Sequence, residues 1–215
     1  VHDIAFSLSG IGTTAAASTT TALCEAFDPD LIIMCGVAGG MDSGMRVGDL
    51  VLANKIIDVD LYVLQNTLQG TPYESCLTDP HTLQPTSSEY IVNSLLLDKA
   101  SSCLLRRLKI GVVATSNLFP APKNLFAKIK SLGCTAIEME SVGVFKAAEY
   151  YGIPVMTIRA ISNLLNDAGD DLGTKPDALG ICSNRIALFM TDFLTRLSEL
   201  DVLAKQRQQK IIAEL

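Results

Sequence analysis

The chain has no tryptophan and only two histidines, His2 near its start and His81 in a proline-bearing stretch. They form no cluster with each other, and both are expected to be solvated. The six cysteines, Cys24, Cys35, Cys76, Cys103, Cys134 and Cys182, never fall into a CxxC pair. With no cluster of ligands at metal spacing, no metal site and no cofactor are expected, and the cysteines read as reduced core residues. Positive charge is scarce too, since 17 Lys and Arg against 23 Asp and Glu leave a net charge of −6. Binding to a phosphate backbone needs clustered cations, so nucleic acid is excluded as a partner. No apolar run reaches the ~20 residues of a membrane span. The opening VHDIAFSL lacks the basic start and cleavage pattern of a secretory leader. The expectation is a cytoplasmic chain whose partner is a small molecule or another protein. Also missing are G-x-G-x-x-G, G-x-x-x-x-G-K-[ST] and G-x-S-x-G, which removes the usual dinucleotide, nucleoside triphosphate and serine-hydrolase readings.

What is present is apolar and evenly spread. Hydrophobic residues make up 48% and charged residues 19% of the 215, enough for one sizeable core in a single domain over residues 1–215. The organising stretch is residues 136–167, AIEMESVGVFKAAEYYGIPVMTIRAISNLLND. A short apolar strand ends in Glu138, Met139 and Glu140. A helix follows, with Val142, Phe145, Ala147 and Ala148 on one face and Gly152 at its C-cap. IPVMTIRAIS reads as a second buried strand, carrying one cation, Arg159, and ending at Ser162 and Asn163. Two buried strands joined by a helix predict a crossover between neighbouring parallel strands. Glu140 and Asn163 then leave the same C-terminal edge, where open α/β sheets bind ligands.

Upstream, residues 4–8 alternate as a strand that ends at SGIG. TTAAASTTTALCEAF reads as a helix, and LIIMCGVAGG as a buried strand running into a glycine turn. Residues 41–64 predict a turn and long strand pairing, and residues 65–88, with three prolines, a long surface loop. Residues 88–108 read as a helix capped by Ser87 or Ser88. KIGVVATSN is a strand and NLFAKIKSLG a helix. Ile181, Ile186, Phe189, Phe193, Leu197 and Leu200 are spaced for one or two helical faces.

Several residues carry two readings. SGIG and GVAGG are tight turns, or cradles whose N–H groups face an anion or a ribose. Glu140, and with it Glu138, answers the positive end of the next helix or faces a ligand. Arg159 in an apolar strand needs a carboxylate, and Glu138 or Glu140 on the adjacent strand is the candidate. Asn163 is a turn former or a donor into a site.

In this order and spacing SGIG, GVAGG followed by RVGDLV, IEMES and RAIS resemble the nucleoside phosphorylase and nucleosidase superfamily over nearly the whole chain. The nearest branch is that of the methylthioadenosine/S-adenosylhomocysteine nucleosidases. The resemblance implies an α/β fold of three layers, α/β/α, around a central mixed, partly barrel-like sheet. It further implies a homodimer that hydrolyses the N-glycosidic bond of a 5′-modified purine nucleoside such as methylthioadenosine or S-adenosylhomocysteine. Such cleavage passes through a ribosyl cation, which calls for negative charge at the sugar and a proton donor at purine N7. The resemblance gives Glu140 the ribose 2′-hydroxyl, Met139 the sugar face, and Arg159 the task of holding the carboxylate side of the site. Phe119 would stack on the base, with core packing as its other reading. Ile11, Val37 and Gly39 would line the sugar side, and Ser162 joins the substrate-binding set. Asp58, Val59 and Asp60 resemble the branch's DAD triplet, beside a segment that in relatives serves the neighbouring subunit's pocket. Phosphorylases of the superfamily carry an arginine where this chain has Met34, so water is the expected nucleophile.

The chain departs from the pattern twice. Asn163 stands where adenine-specific nucleosidases have an aspartate, and an amide donates a hydrogen bond without giving up a proton. The change slows adenine release or marks a 6-oxopurine substrate, as in futalosine hydrolases. Secondly, the strand and GAMxxE-like turn that open the family and bear the water-activating glutamate are not in this sequence. The expectation is a domain lacking its first strand; a catalytically weak nucleoside-binding relative is the remaining alternative.

Overall fold

The apolar runs become the inner strands of one sheet in the computed structural model, which describes residues 3–79, 84–103 and 105–197. The strands are β1 (Ile32–Gly40), β2 (Leu50–Asp58), β3 (Glu89–Ile91), β4 (Leu108–Thr115), β5 (Cys134–Glu138) and β6 (Val155–Leu164). Their order is β3-β2-β4-β5-β1-β6, and β6 pairs back onto β2. Leu50, Val51 and Leu52 of β2 pair with β6, whereas Lys55, Ile56 and Ile57 pair with β3. Between the two sets β2 bulges against β4 at Ala53 and Lys55. A bulge bends and twists its strand, so β2 leaves one neighbour for the other and the sheet closes over part of its length.

Side chains alternate across β2 and build a core on each face. Val51 and Ala53 join Ala16 and Cys24 of α1 (Thr13–Phe27) and Val142, Phe145 and Ala148 of α5 (Ser141–Tyr151). Leu50 and Leu52 join Ala100 of α3 (Ser94–Ser101) and Cys182, Phe189 and Phe193 of α6 (Ala178–Leu197). A third cluster sets Phe126 and Ile129 of α4 (Lys123–Ser131) against Ile57, Ala114 and Ile137. The fold is therefore three-layered, α/β/α, around a mixed, partly barrel-like sheet. Gly152 ends α5 in the left-handed conformation at φ 68°.

The structure corrects four local expectations. The strands flanking α5 are not parallel neighbours, because β1 lies between them, antiparallel to β5 and parallel to β6. Residues 4–8 form no strand; Ile4, Phe6 and Leu8 alternate in sequence but are all exposed, with no partner strand among the described residues. Strand pairing after Leu50 stops at Asp58, whose carboxylate accepts from Leu61 N at 2.9 Å and starts α2 (Val59–Leu68) inside the expected strand and loop. Residues 88–108 hold β3 and then α3, capped by Asn93 rather than by a serine. His2, His81 and Leu200 lie outside the described residues.

Candidate active site

Arg159 is 2% exposed, yet it reaches a carboxylate two strands away. Its register partner on β1 is Gly36, and a Cβ there would collide with Nη1. The missing side chain opens the path along which the guanidinium crosses β1 to Glu138 at the end of β5. Glu138 is saturated, since its oxygens accept from Arg159 Nη2, Thr115 Oγ1, Glu140 N at 3.0 Å and Ser141 N at 3.0 Å. A buried charge so fully satisfied is a structural element. Arg159 Nη2 also donates to Ser141 Oγ at 3.2 Å and stands 3.5 Å from Glu140 Oε2.

Glu140 differs from Glu138 in exposure. Its side chain is 14% exposed against 1% for Glu138, so of the two it is the carboxylate that reaches the surface. Its Oε1 accepts from Gly12 N at 3.0 Å. That contact depends on how α1 meets α5. Gly143, in the first turn of α5, lies against the Thr13 carbonyl so closely that a Cβ would overlap it. The first turn of α1 contains no acidic residue, and Glu140 supplies negative charge to that positive helix end.

Asn163 and Ser162 sit at the end of β6, both 8% exposed. Gly39 of β1 pairs with Asn163 on one side and Ile137 on the other, so a single β1 residue separates the end of β6 from the strand that leads into Glu140. A register shift between Ala38 and Gly39 leaves Ser162 without a partner in the ladder. Ser162 Oγ donates to Asn163 Oδ1 at 3.0 Å, which leaves Nδ2 as the donor end of the amide. Met139 is half-buried beside Glu140. Val37, Phe119 and Ile11 are exposed, at 37%, 65% and 81%.

Contacts that the sequence does not reveal tie these parts together. Gly36 opens the GVAGG motif, but nothing in the sequence marks it as the gap through which Arg159 passes. Thr13, Asp60, Ser116 and Asn117 form a hydrogen-bonded group at the start of α1. Among the described residues, no three His, Cys, Asp or Glu side chains gather to hold a metal ion. None of the six cysteines forms a disulfide. Burial pushes the thiols of Cys35 and Cys103 up to about 11 and that of Cys134 to about 12. The exposed one is Cys76.

Compared with known families, residues 1–196 match the model of the Phosphorylase superfamily. The chain belongs to this superfamily. A curated superfamily relative, the 5′-methylthioadenosine/S-adenosylhomocysteine nucleosidase of Actinobacillus succinogenes, is 34% identical over 164 residues, which cover 75% of this chain and 66% of that protein. The chain thus spans just under two thirds of that relative's length. Among solved structures, the methylthioadenosine/S-adenosylhomocysteine nucleosidase of Colwellia psychrerythraea in complex with adenine superposes with a TM-score of 0.70 at 22% identity, covering 88% of this chain and 76% of that one. A futalosine hydrolase mutant of Helicobacter pylori gives 0.64 at 21% identity, covering 88% and 78%. At these identities the two structures establish the superfamily fold.

Proposed function

We propose that the chain is a purine nucleoside N-glycosidase that cleaves 5′-modified nucleosides such as methylthioadenosine or S-adenosylhomocysteine with water. The observation that carries the reading is Glu140, a partly exposed carboxylate fixed by Gly12 N and flanked by Arg159. A carboxylate so held meets the positive charge that develops on a ribosyl ring without having to reorganise. Glu140 accepts from the 2′-hydroxyl while Met139 packs on the sugar. Ile11, Val37 and Gly39 line the sugar side, Phe119 stacks on the base, and Asn163 donates to N7. Arg159 and Ser162 act one step back: the first holds Glu138 and flanks Glu140, the second orients the Asn163 amide. The name of the A. succinogenes relative supports this choice of substrates. The same reading includes a cytoplasmic homodimer; no described helix is long and apolar enough to cross a membrane.

The bond from Ser162 Oγ to Asn163 Oδ1 favours a second reading of the base. With its oxygen turned towards Ser162, the amide has its N–H donors as its unengaged end. Those match the N7 and O6 acceptors of a 6-oxopurine, whereas adenine presents an amino donor beside N7. Hypoxanthine released from inosine or futalosine is the corresponding product.

The test is incubation of the protein with methylthioadenosine, S-adenosylhomocysteine, inosine and futalosine, with and without phosphate, followed by chromatography of free base. Adenine without phosphate supports the first reading and hypoxanthine without phosphate the second. A requirement for phosphate overturns hydrolysis. Binding of nucleoside with no base released points to the weak nucleoside-binding relative.

A further inference from the structure

A hydrogen-bonded clasp joins three elements beside the proposed substrate residues. Asp60, in the first turn of α2, accepts from Ser116 Oγ at 2.8 Å, from Asn117 N at 3.0 Å and from Asn117 Nδ2 at 3.0 Å. Asn117 Nδ2 also donates to Thr13 Oγ1 at 2.9 Å, and its Oδ1 accepts from Thr13 N at 3.0 Å. The preceding amide, Gly12 N, is the donor to Glu140 Oε1. Two consecutive N–H groups at the start of α1 are therefore divided between Asn117 and Glu140.

We infer that Asn117, oriented by Asp60, is a positioning residue that fixes the start of α1 so that Gly12 holds Glu140 in its working orientation. The role needs an amide, because Asn117 donates to Asp60 and accepts from Thr13 N at the same time. Asp60, an acceptor when ionised, decides which end of the amide faces α2 and which faces α1. Asn117 is exposed, and hydrogen bonds near water add little to folding. Its effect falls on geometry, where a displacement of about 1 Å costs up to about 10²-fold in rate.

The consequence for turnover rests on the glycosidase reading, and the test separates the two. Asn117→Ala removes the side-chain bonds to Thr13 but keeps the bonds from Asn117 N and Ser116 Oγ to Asp60, so the loop bearing Phe119 keeps its anchor. The expected result is a kcat lower by about tenfold, a nearly unchanged KM, a nearly unchanged Tm, and faster hydrogen exchange at the Gly12 amide. Asn117→Asp sets two carboxylates face to face and fails alike. Wild-type kcat in Asn117→Ala, or wild-type kcat in Asn117→Asp, overturns the inference. If the unaltered protein releases no base, the glycosidase reading falls and Gly12 exchange decides the clasp: faster exchange in Asn117→Ala supports it, and unchanged exchange overturns it.

Discussion

Arg159 and Glu138 form a buried ion pair that spans a strand belonging to neither of them, and Gly36 on that strand is what lets them meet. The pair fixes the turn between β5 and α5, because Glu138 also binds the amides of Glu140 and Ser141. From that turn Glu140 projects.

A methyl group at Gly36 is therefore expected to unfold this arrangement. Gly36→Ala displaces a guanidinium with no room to retreat, and breaking a buried pair costs about 3–5 kcal/mol. Urea unfolding measures the loss. In an Arg159→Leu background the same Gly36→Ala change should cost far less, since the colliding group is gone. Equal costs in both backgrounds would show that the arginine does not need the glycine.

The contact between Gly143 and Thr13 gives a second expectation. Gly143→Ala pushes against backbone, which cannot rotate away, and overpacking of this kind costs about 1–3 kcal/mol. α1 moves off α5 and Gly12 leaves Glu140, so activity falls more than stability. A variant with normal Tm and normal turnover would refute the close approach.

Stability should decline at high pH through the buried thiols. Burial pushes Cys134 from the usual 9.0 up to about 12. The folded chain then keeps a proton that the unfolded chain loses. The contribution is complete below about pH 9 and disappears as pH rises towards 12, at a slope of about 1.4 kcal/mol per pH unit for one thiol. Unfolding free energies at pH 8 to 10.5 should fall less steeply in Cys134→Ala. Parallel slopes for the two proteins would mean that this thiol is not responsible.

Much of the frame was legible in the sequence because it rests on local pattern. The strand, helix and strand around α5, the left-handed cap at Gly152 and the burial of Arg159 follow from apolar runs and one glycine. Strand order did not follow, since only the pairing of Gly39 and Gly40 with Ile137 and Ala136 shows that β1 intervenes. VDLYVL looks like a strand by side-chain type, but the Asp58 cap and its ion pair to Lys146 at 2.8 Å make it a helix. Ser87 looked like a helix cap and instead bonds to Glu89 across a turn, accepting from its N–H at 3.0 Å. In the site, Glu140, Met139 and Asn163 were named from motif spacing. Gly36 and Asp60 fell within named motifs, but the passage of Arg159 over Gly36 and the bonds joining Thr13, Asn117 and Asp60 were not legible, because they are contacts between segments far apart in the chain.

The base end of the site makes its own prediction. Asn163→Asp supplies a group that transfers a proton to N7, which is worth about 10²-fold in adenine release, and it removes a donor to O6. Adenine release should rise and hypoxanthine release fall. If both rates stay at the original values, Asn163 does not face the base.

The central claim, that Glu140 and not Glu138 meets the substrate, is tested most directly by comparing Glu140→Gln with the unaltered protein. Free base is measured by chromatography and folding by Tm. The account predicts a loss in kcat of about 10²-fold or more with Tm nearly unchanged, since Glu140 is the partly exposed carboxylate. Full activity in Glu140→Gln would contradict it.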